Sequence, residues 1–215
     1  SAIGAEWKPH ARLNLDVQVF HKRLWDMIVA PRTPWEGFGS VNAGRGRIYG
    51  LEVLLRHPPV GRFFGWIAYT LMRGTVTPHP GMDERLLDWD QTHILTAVGS
   101  YKLPANWEVS ARFRLVSGNP MTAVVSAAYN DDNDSWRGVP SACVNCARMP
   151  AFHQLDIRVD KKFVFKTWML GLYLDVQNAY NRGNPEGIQY NFDATASQPL
   201  TGLPIIPSFG IRAEL

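Results

Sequence analysis

Apolar and polar residues alternate along much of this chain. From Trp168 to Gln177, the positions Trp168, Leu170, Leu172, Leu174 and Val176 alternate with Met169, Gly171, Tyr173, Asp175 and Gln177. Side chains on a strand project to opposite faces with a period of two, so this segment is a strand with one oily and one wet face. Leu155 to Phe163 repeats the pattern, with Leu155, Ile157, Val159 and Phe163 set against Gln154, Asp156, Arg158, Asp160 and Lys162. The same reading predicts strands at about 1–8, 11–29, 44–57, 63–77, 90–103, 107–118, 152–165, 168–182 and 204–215. In 63–77 and 90–103 both parities hold apolar residues, and the pattern alone does not assign their faces.

These strands run to roughly ten residues or more, the length that crosses a bilayer at a tilt. Their connections alternate between short and long. Pro9-His10, His57-Pro-Pro-Val-Gly61, Pro104-Ala-Asn106 and Lys166-Thr167 are tight, whereas 30–43, 78–89, 119–151 and 183–203 are long and rich in Gly, Pro, Asn and Asp. Short turns on one rim and long loops on the other is the asymmetry of an outer-membrane barrel, periplasm against exterior. Trp7, Trp107 and Trp168 each lie beside a short turn, as an interfacial aromatic belt requires.

An odd number of strands does not close a single-chain bacterial barrel, and an open edge in lipid leaves backbone groups unpaired. The expected fold is therefore all-β, an antiparallel transmembrane segment of about nine strands spanning 1–215, the C-terminal portion of a larger barrel or one completed by another chain. Ser1-Ala-Ile-Gly-Ala-Glu-Trp7 lacks the basic and apolar regions of a signal peptide and reads as strand, which predicts a chain beginning within a larger sheet.

Composition agrees with this picture. Of 215 residues, 46% are hydrophobic, 12% aromatic and 19% charged. No apolar run approaches the ~18 residues of a spanning helix. The net charge of +3 is small and its bases are interleaved with acids, which gives nucleic-acid binding little support. Charges instead fall on the polar parity of their strands. Asp16, Glu52, Arg112, Arg114, Asp156, Arg158, Asp160, Asp175 and Arg212 are the expected lumen-facing set, mixed in sign so that cross-strand pairs form in a hydrated lumen.

Candidate chemistry is sparse. The histidines show no metal-ligand spacing and read as rim residues, and no catalytic residue, cofactor or metal site is expected. Cys143-Val-Asn-Cys146 lies in the longest loop. A redox or metal pair is one reading, and a local disulfide in an oxidising exterior is the favoured one. Asp131-Asp-Asn-Asp134 offers hard oxygen ligands but lacks the Gly and distant Glu of a calcium loop, so a solvated loop is favoured. With Trp35, Tyr129, Trp136, Tyr190 and Asn191, Asp131 forms the candidate ligand-contacting set of the long loops. A soluble β-sandwich would also explain alternation, though not the alternating loop lengths. A barrel enzyme would need a nucleophile and base, and no Gly-x-Ser-x-Gly is present.

The C-terminus carries a resemblance. Ser208-Phe-Gly-Ile-Arg-Ala-Glu-Leu215 is similar to the terminal strand read by the barrel-assembly machinery, with Ser208, Phe209, Gly210, Ile211, Ala213 and Leu215 as its signal positions and Leu215 where an aromatic is usual. Leu174-Asp-Val-Gln-Asn-Ala-Tyr-Asn-Arg182 looks like the segment closing the penultimate strand of TonB-dependent receptors. Asn191-Phe-Asp193, Gly202 to Gly210, Gly50-Leu-Glu-Val53, Gly65-Trp-Ile-Ala-Tyr-Thr70, Asp90-Gln-Thr-His93 and Ser100-Tyr-Lys-Leu103 follow in the family's order. The resemblance implies an outer-membrane barrel of roughly 22 strands. It also implies a plug and an inner-membrane energy-coupling protein of the TonB type, neither of them in this chain, and import of a scarce ligand such as a siderophore, cobalamin or glycan. A structural or ligand-binding barrel subunit without active transport is the alternative. Bacterial outer membrane is the expected location, with its lipid, the remaining strands, the plug and the assembly machinery as partners.

Overall fold

In the computed structural model, residues 1–31 and 39–215 are described. The strands in chain order are β1 (Ala2–His10), β2 (Leu13–Val29), β3 (Val41–Val60), β4 (Phe63–Thr77), β5 (Arg85–Leu86), β6 (His93–Leu103), β7 (Trp107–Val116), β8 (Pro120–Met121), β9 (Val124–Asn130), β10 (Ser135–Pro140), β11 (Ala147–Arg148), β12 (Phe152–Val164), β13 (Met169–Gln177), β14 (Pro185–Tyr190), β15 (Ser197–Thr201) and β16 (Ile206–Glu214). Nine long strands form one antiparallel meander in the order β1-β2-β3-β4-β6-β7-β12-β13-β16. Each long segment expected from the alternation is present. The sheet is open among the described residues, with β1 and β16 at its edges.

The boundaries differ in instructive ways. β1 runs through Pro9-His10, and the turn falls at Ala11-Arg12. β3 likewise runs through Pro58-Pro59 to Val60, with the reversal at Gly61, whose φ of 74° suits a residue lacking Cβ. In both places the register slips, between Trp7 and His10 and between His57 and Val60. A bulge removes the need for a ladder donor, so proline is accommodated there rather than ending the strand. At the other rim β13 stops at Gln177 rather than 182, because Asn178 and Asn181 adopt φ of 52°. The long connections contain further pairing: β5 adds to the end of β4, β8 pairs β11, β9 pairs β10 and β14 pairs β15.

Register propagates the faces across the sheet, since directly opposed residues share a face. Asp156 opposes Arg112, Arg158 opposes Ser110 and Asp175, and Asp160 opposes Glu108 and Tyr173. Asp16, Glu52, Arg114 and Arg212 fall on the same polar face. The other face carries Val17, Val53, Phe113, Leu155, Ile157, Val159, Leu172, Leu174 and Ile211. The two strands left unassigned by pattern are settled by their neighbours. Phe63, Ile67, Tyr69 and Leu71 of β4 and Leu95, Ala97 and Tyr101 of β6 join the apolar face.

That apolar face is exposed rather than covered, with Phe209 at 66% and Ile211 at 65% relative accessibility. Such a face suits hydrocarbon better than water. At the short-turn end it ends in aromatics, Trp7, Phe63, Tyr101, Trp107 and Phe163, with Phe165 and Trp168 stacked at 4.4 Å between ring centroids. The Lys161 ammonium lies 5.2 Å from the rings of both Trp107 and Phe163 and donates to the Ala105 carbonyl, its stem on the apolar face and its charge at the rim.

On the polar face Arg112 donates to Asp156 from Nε at 2.9 Å and Nη2 at 2.6 Å, and Arg158 donates to Asp160 from Nε and Nη2 at 2.8 Å. The Arg158 guanidinium also sits 4.0 Å over the Tyr173 ring, which lies across Gly210 so closely that a Cβ there would fall 2.1 Å from it. Any side chain at that crossing would push the Tyr173 ring aside.

Leu172 lies mid-strand on the apolar face, so Leu172→Arg is expected to destabilise the barrel by about 2–4 kcal/mol. Gln18→Arg, which places the same side chain on the polar face opposite Glu52, is expected to stay within about 0.5 kcal/mol. Urea unfolding of the full-length protein in detergent, read by heat-modifiable gel mobility, compares the two; equal losses would show the faces to be wrongly assigned.

Candidate functional site

The long connections gather at one rim, where buried polar side chains fasten them. Asp90, in the segment leading into β6, is fully buried. Its Oδ1 accepts from the Gly74 amide at 2.6 Å and its Oδ2 accepts from the Thr92 hydroxyl at 3.1 Å. Arg148 of β11 completes the group. Its guanidinium pairs with the Asp90 carboxylate and donates to the carbonyls of Asp90 at 2.6 Å and Gly118 at 3.0 Å. A buried charge is tolerated only when paired and fully bonded. The ion pair thus holds the far end of the 119–151 connection against the start of β6.

A second clasp uses the cysteine loop. Cys143 and Cys146 are joined by a disulfide, with Cα atoms 5.6 Å apart. Between them the buried Asn145 takes φ of 62° and directs its amide to the Leu86 carbonyl at 2.9 Å and to Asp88 Oδ1 at 2.6 Å. The Asn145 amide foremost, with the Arg85 guanidinium, holds the Asp88 carboxyl below its ordinary value against the opposing effect of burial. A third anchor is Asn178, buried at the end of β13, whose side chain bonds the backbone of Arg182 and the carbonyl of Leu203.

Above these anchors stand the hairpin tips. Tyr129 and Trp136 oppose each other on β9 and β10, ring centroids 5.4 Å apart. Trp136 meets Phe192, at the tip of the β14–β15 hairpin, edge to face at 6.0 Å. All three rings are exposed, Phe192 to 73%. The Tyr129 hydroxyl donates to Asp134, while Asn130 Oδ1 accepts from the Asp132 amide. The acidic run therefore shapes its own turn, with Asp131 exposed at its tip.

Of the candidate contact residues, Tyr129 and Trp136 come together and Asp131 lies beside them. Tyr190 closes the β14–β15 ladder opposite Ser197. The Asn191 side chain is engaged in its own turn, accepting from the Ala196 amide at 2.9 Å and donating to Thr195 Oγ1 at 3.0 Å. Trp35 lies outside the described residues. Phe192 was not among the candidates, because one aromatic between Asn191 and Asp193 gives no periodic signal.

A family model described as TonB dependent receptor-like, beta-barrel matches residues 2–179. The fold is similar to that of the ferric citrate transporter FecA in its unliganded form, at 16% identity and TM-score 0.66, covering 99% of this chain and 30% of that one. It is also similar to the ferric-catecholate import receptor Fiu from E. coli K12, at 15% identity and TM-score 0.62 over 99% of this chain and 26% of that one. The ferripyoverdine receptor of the Pseudomonas aeruginosa outer membrane, bound to ferripyoverdine, matches at 14% identity and TM-score 0.64 over 98% of this chain and 26% of that one. The chain thus spans less than a third of the length of these proteins. No curated protein sequence matches it.

Two outcomes follow from the anchors. Arg148→Met strands the Asp90 carboxylate and is expected to destabilise the rim by about 3–5 kcal/mol. Limited proteolysis should then nick 119–151 while the strands stay protected; unchanged resistance would deny the anchor its role. Because the Asp88 carboxyl is depressed in the folded protein, its contribution is present above the ordinary aspartate value of 3.8 and lost as pH falls below it. Hydrogen-exchange protection in 141–149, taken relative to the intrinsic rate at each pH, is expected to hold at pH 5 and to fall only in stronger acid, and a loss of protection between pH 6 and 5 would contradict this.

Proposed function

The chain belongs to the TonB-dependent receptor-like β-barrel family, and on that premise we propose that it is the C-terminal barrel portion of an outer-membrane receptor whose long loops capture a scarce ligand for import. Family and fold neighbours are outer-membrane receptors and transporters. The observation that carries the reading is the exposed cluster of Tyr129, Trp136 and Phe192 contributed by separate hairpins on the long-loop rim. Rigid aromatics with few rotatable bonds lose little entropy on gripping a ligand, and they suit one with rings or hydroxyls. The neighbours named for ferric citrate, ferric catecholate and ferripyoverdine make a ferric chelate the favoured class over cobalamin or a glycan.

The open edges and the polar face support the rest of this reading. The outer edges of β1 and β16 present backbone groups that lipid does not satisfy, so further strands of a roughly 22-stranded barrel complete them. The polar face, with its Arg112–Asp156 and Arg158–Asp160 pairs, lines a lumen that holds the plug, through which a TonB-type protein supplies energy. Ser208, Phe209, Gly210, Ile211, Ala213 and Leu215 form the signal for the barrel-assembly machinery. The outward face meets outer-membrane lipid, and the chain carries no enzymatic activity of its own.

In the full-length receptor, Trp136→Ala is expected to weaken capture of a ferric catecholate about tenfold, as loss of an aromatic hot spot does. The barrel should assemble normally, since hairpin tips tolerate change. Equilibrium binding of ferric catecholate, ferric citrate and cobalamin, measured in parallel, tests both site and class. Unchanged affinity for all three would remove this cluster from the binding site.

A further inference from the structure

The apolar face changes character row by row toward the long-loop rim. Val19, Leu51 and Leu71 form one cross-strand row over β2, β3 and β4. Two residues further the row is His21, Tyr49 and Arg73, and two further it is Arg23, Arg47 and Thr75. Arg45, opposite Thr77, stands beyond. Successive rows lie about 7 Å apart, so the face passes from hydrocarbon-compatible to strongly basic within about 15 Å. All four arginines are exposed.

Like charges directly opposed across a ladder are destabilising, yet Arg23 and Arg47 are so opposed. Glu84 engages Arg47 at 2.8 Å and Thr75 at 2.7 Å. Arg23, Arg45 and Arg73 form no ion pair among the described residues. Arg23, Arg45 and Arg47 border a hollow of about 550 Å³ lined also by His21, Trp25 and Glu84, whereas Arg73 lines a second hollow with Thr75, Asp83 and Glu84. Trp25 is 65% exposed at its edge, as an interfacial ring is. One carboxylate against three guanidinium groups leaves a concave site of excess positive charge directly above an apolar surface.

We propose that this outward-facing hollow binds the phosphorylated headgroup of an outer-leaflet glycolipid of the lipid A type. Its phosphates bridge Arg23, Arg45 and Arg47, and its acyl chains lie on Val19, Leu51 and Leu71. Guanidinium groups bind phosphate through paired donors, and an anion between Arg23 and Arg47 converts their repulsion into two attractions. The vertical order, base above and hydrocarbon below, matches a lipid standing in the leaflet rather than a free anion. This reading rests on the long loops facing outward.

The test uses the full-length receptor in detergent, with lipid A bearing or lacking its phosphates as the probe. Arg23→Gln/Arg45→Gln/Arg47→Gln is expected to weaken binding of phosphorylated lipid A by ~100-fold. Dephosphorylated lipid A should bind the parent as weakly as phosphorylated lipid A binds the variant, and millimolar inorganic phosphate should not compete. A control of equal charge change, Arg12→Gln/Arg137→Gln/Lys166→Gln, should retain binding. Equal affinity of parent and variant, equal loss in the control, or full competition by inorganic phosphate would each overturn the site. Orientation is read separately from Asp132→Cys labelled on intact cells with an impermeant maleimide. Labelling with unchanged lipid binding defeats this site alone, whereas an assembled barrel that takes no label defeats the outward orientation and the site with it.

Discussion

Backbone amides and carbonyls in lipid have no solvent to turn to, and the continuous ladder from β1 to β16 is the constraint on which the rest of the molecule depends. Once each strand is bonded to its neighbours, register is fixed. With register fixed, parity is inherited across the sheet, and a one-residue slip in any pair would carry charges into hydrocarbon. The opposition of Arg112 to Asp156 and of Ala111 to Ile157 is one decision seen from two sides. Tyr173 lying over Gly210 beneath Arg158 adds a local preference, since a slip of β16 would bring Phe209 or Ile211 under the ring and displace it.

The same inheritance explains what was legible in the sequence. β12 and β13 announce themselves because their charges, Lys161 at the rim excepted, occupy one parity. β4 and β6 do not, since Phe64, Trp66, Val98 and Ile94 are apolar residues on the polar face. Their orientation is a property of pairing and not of their own composition. Turn positions were displaced at Pro9 and Pro58-Pro59, because proline signals a break locally while a bulge accommodates it in context. The hairpins β9–β10 and β14–β15 were read only as long loops: short, and largely exposed apart from the half-buried β14, they carry no periodic signal.

The site was legible in part. Tyr129 and Trp136 were visible as aromatics in a polar loop, but their partnership with Phe192 joins segments more than fifty residues apart in the chain and depends on how the hairpins stand. Asn191 looked available for a ligand because sequence does not show that its amide is occupied by Thr195 and Ala196. The disulfide of Cys143 and Cys146 was read from spacing and compartment. Its consequence, a fixed left-handed Asn145 reaching Leu86 and Asp88, was not.

The segments that carried the resemblance to receptors turn out to contain the buried polar anchors. Asp90-Gln-Thr-His93 contributes Asp90 and Thr92 to the Arg148 cluster, and the segment through Arg182 contributes Asn178. Such groups tolerate little substitution, because a buried charge or amide deprived of one partner costs its full desolvation. Tip residues such as Trp136 and Phe192 are under no such structural demand. A receptor scaffold built this way fixes the bases of its loops with polar clasps and leaves the tips free to differ, so that the entropy of ordering the loops is met on folding rather than on binding. The fold is shared with structural neighbours at 14–16% identity, and the ligand is not written in it.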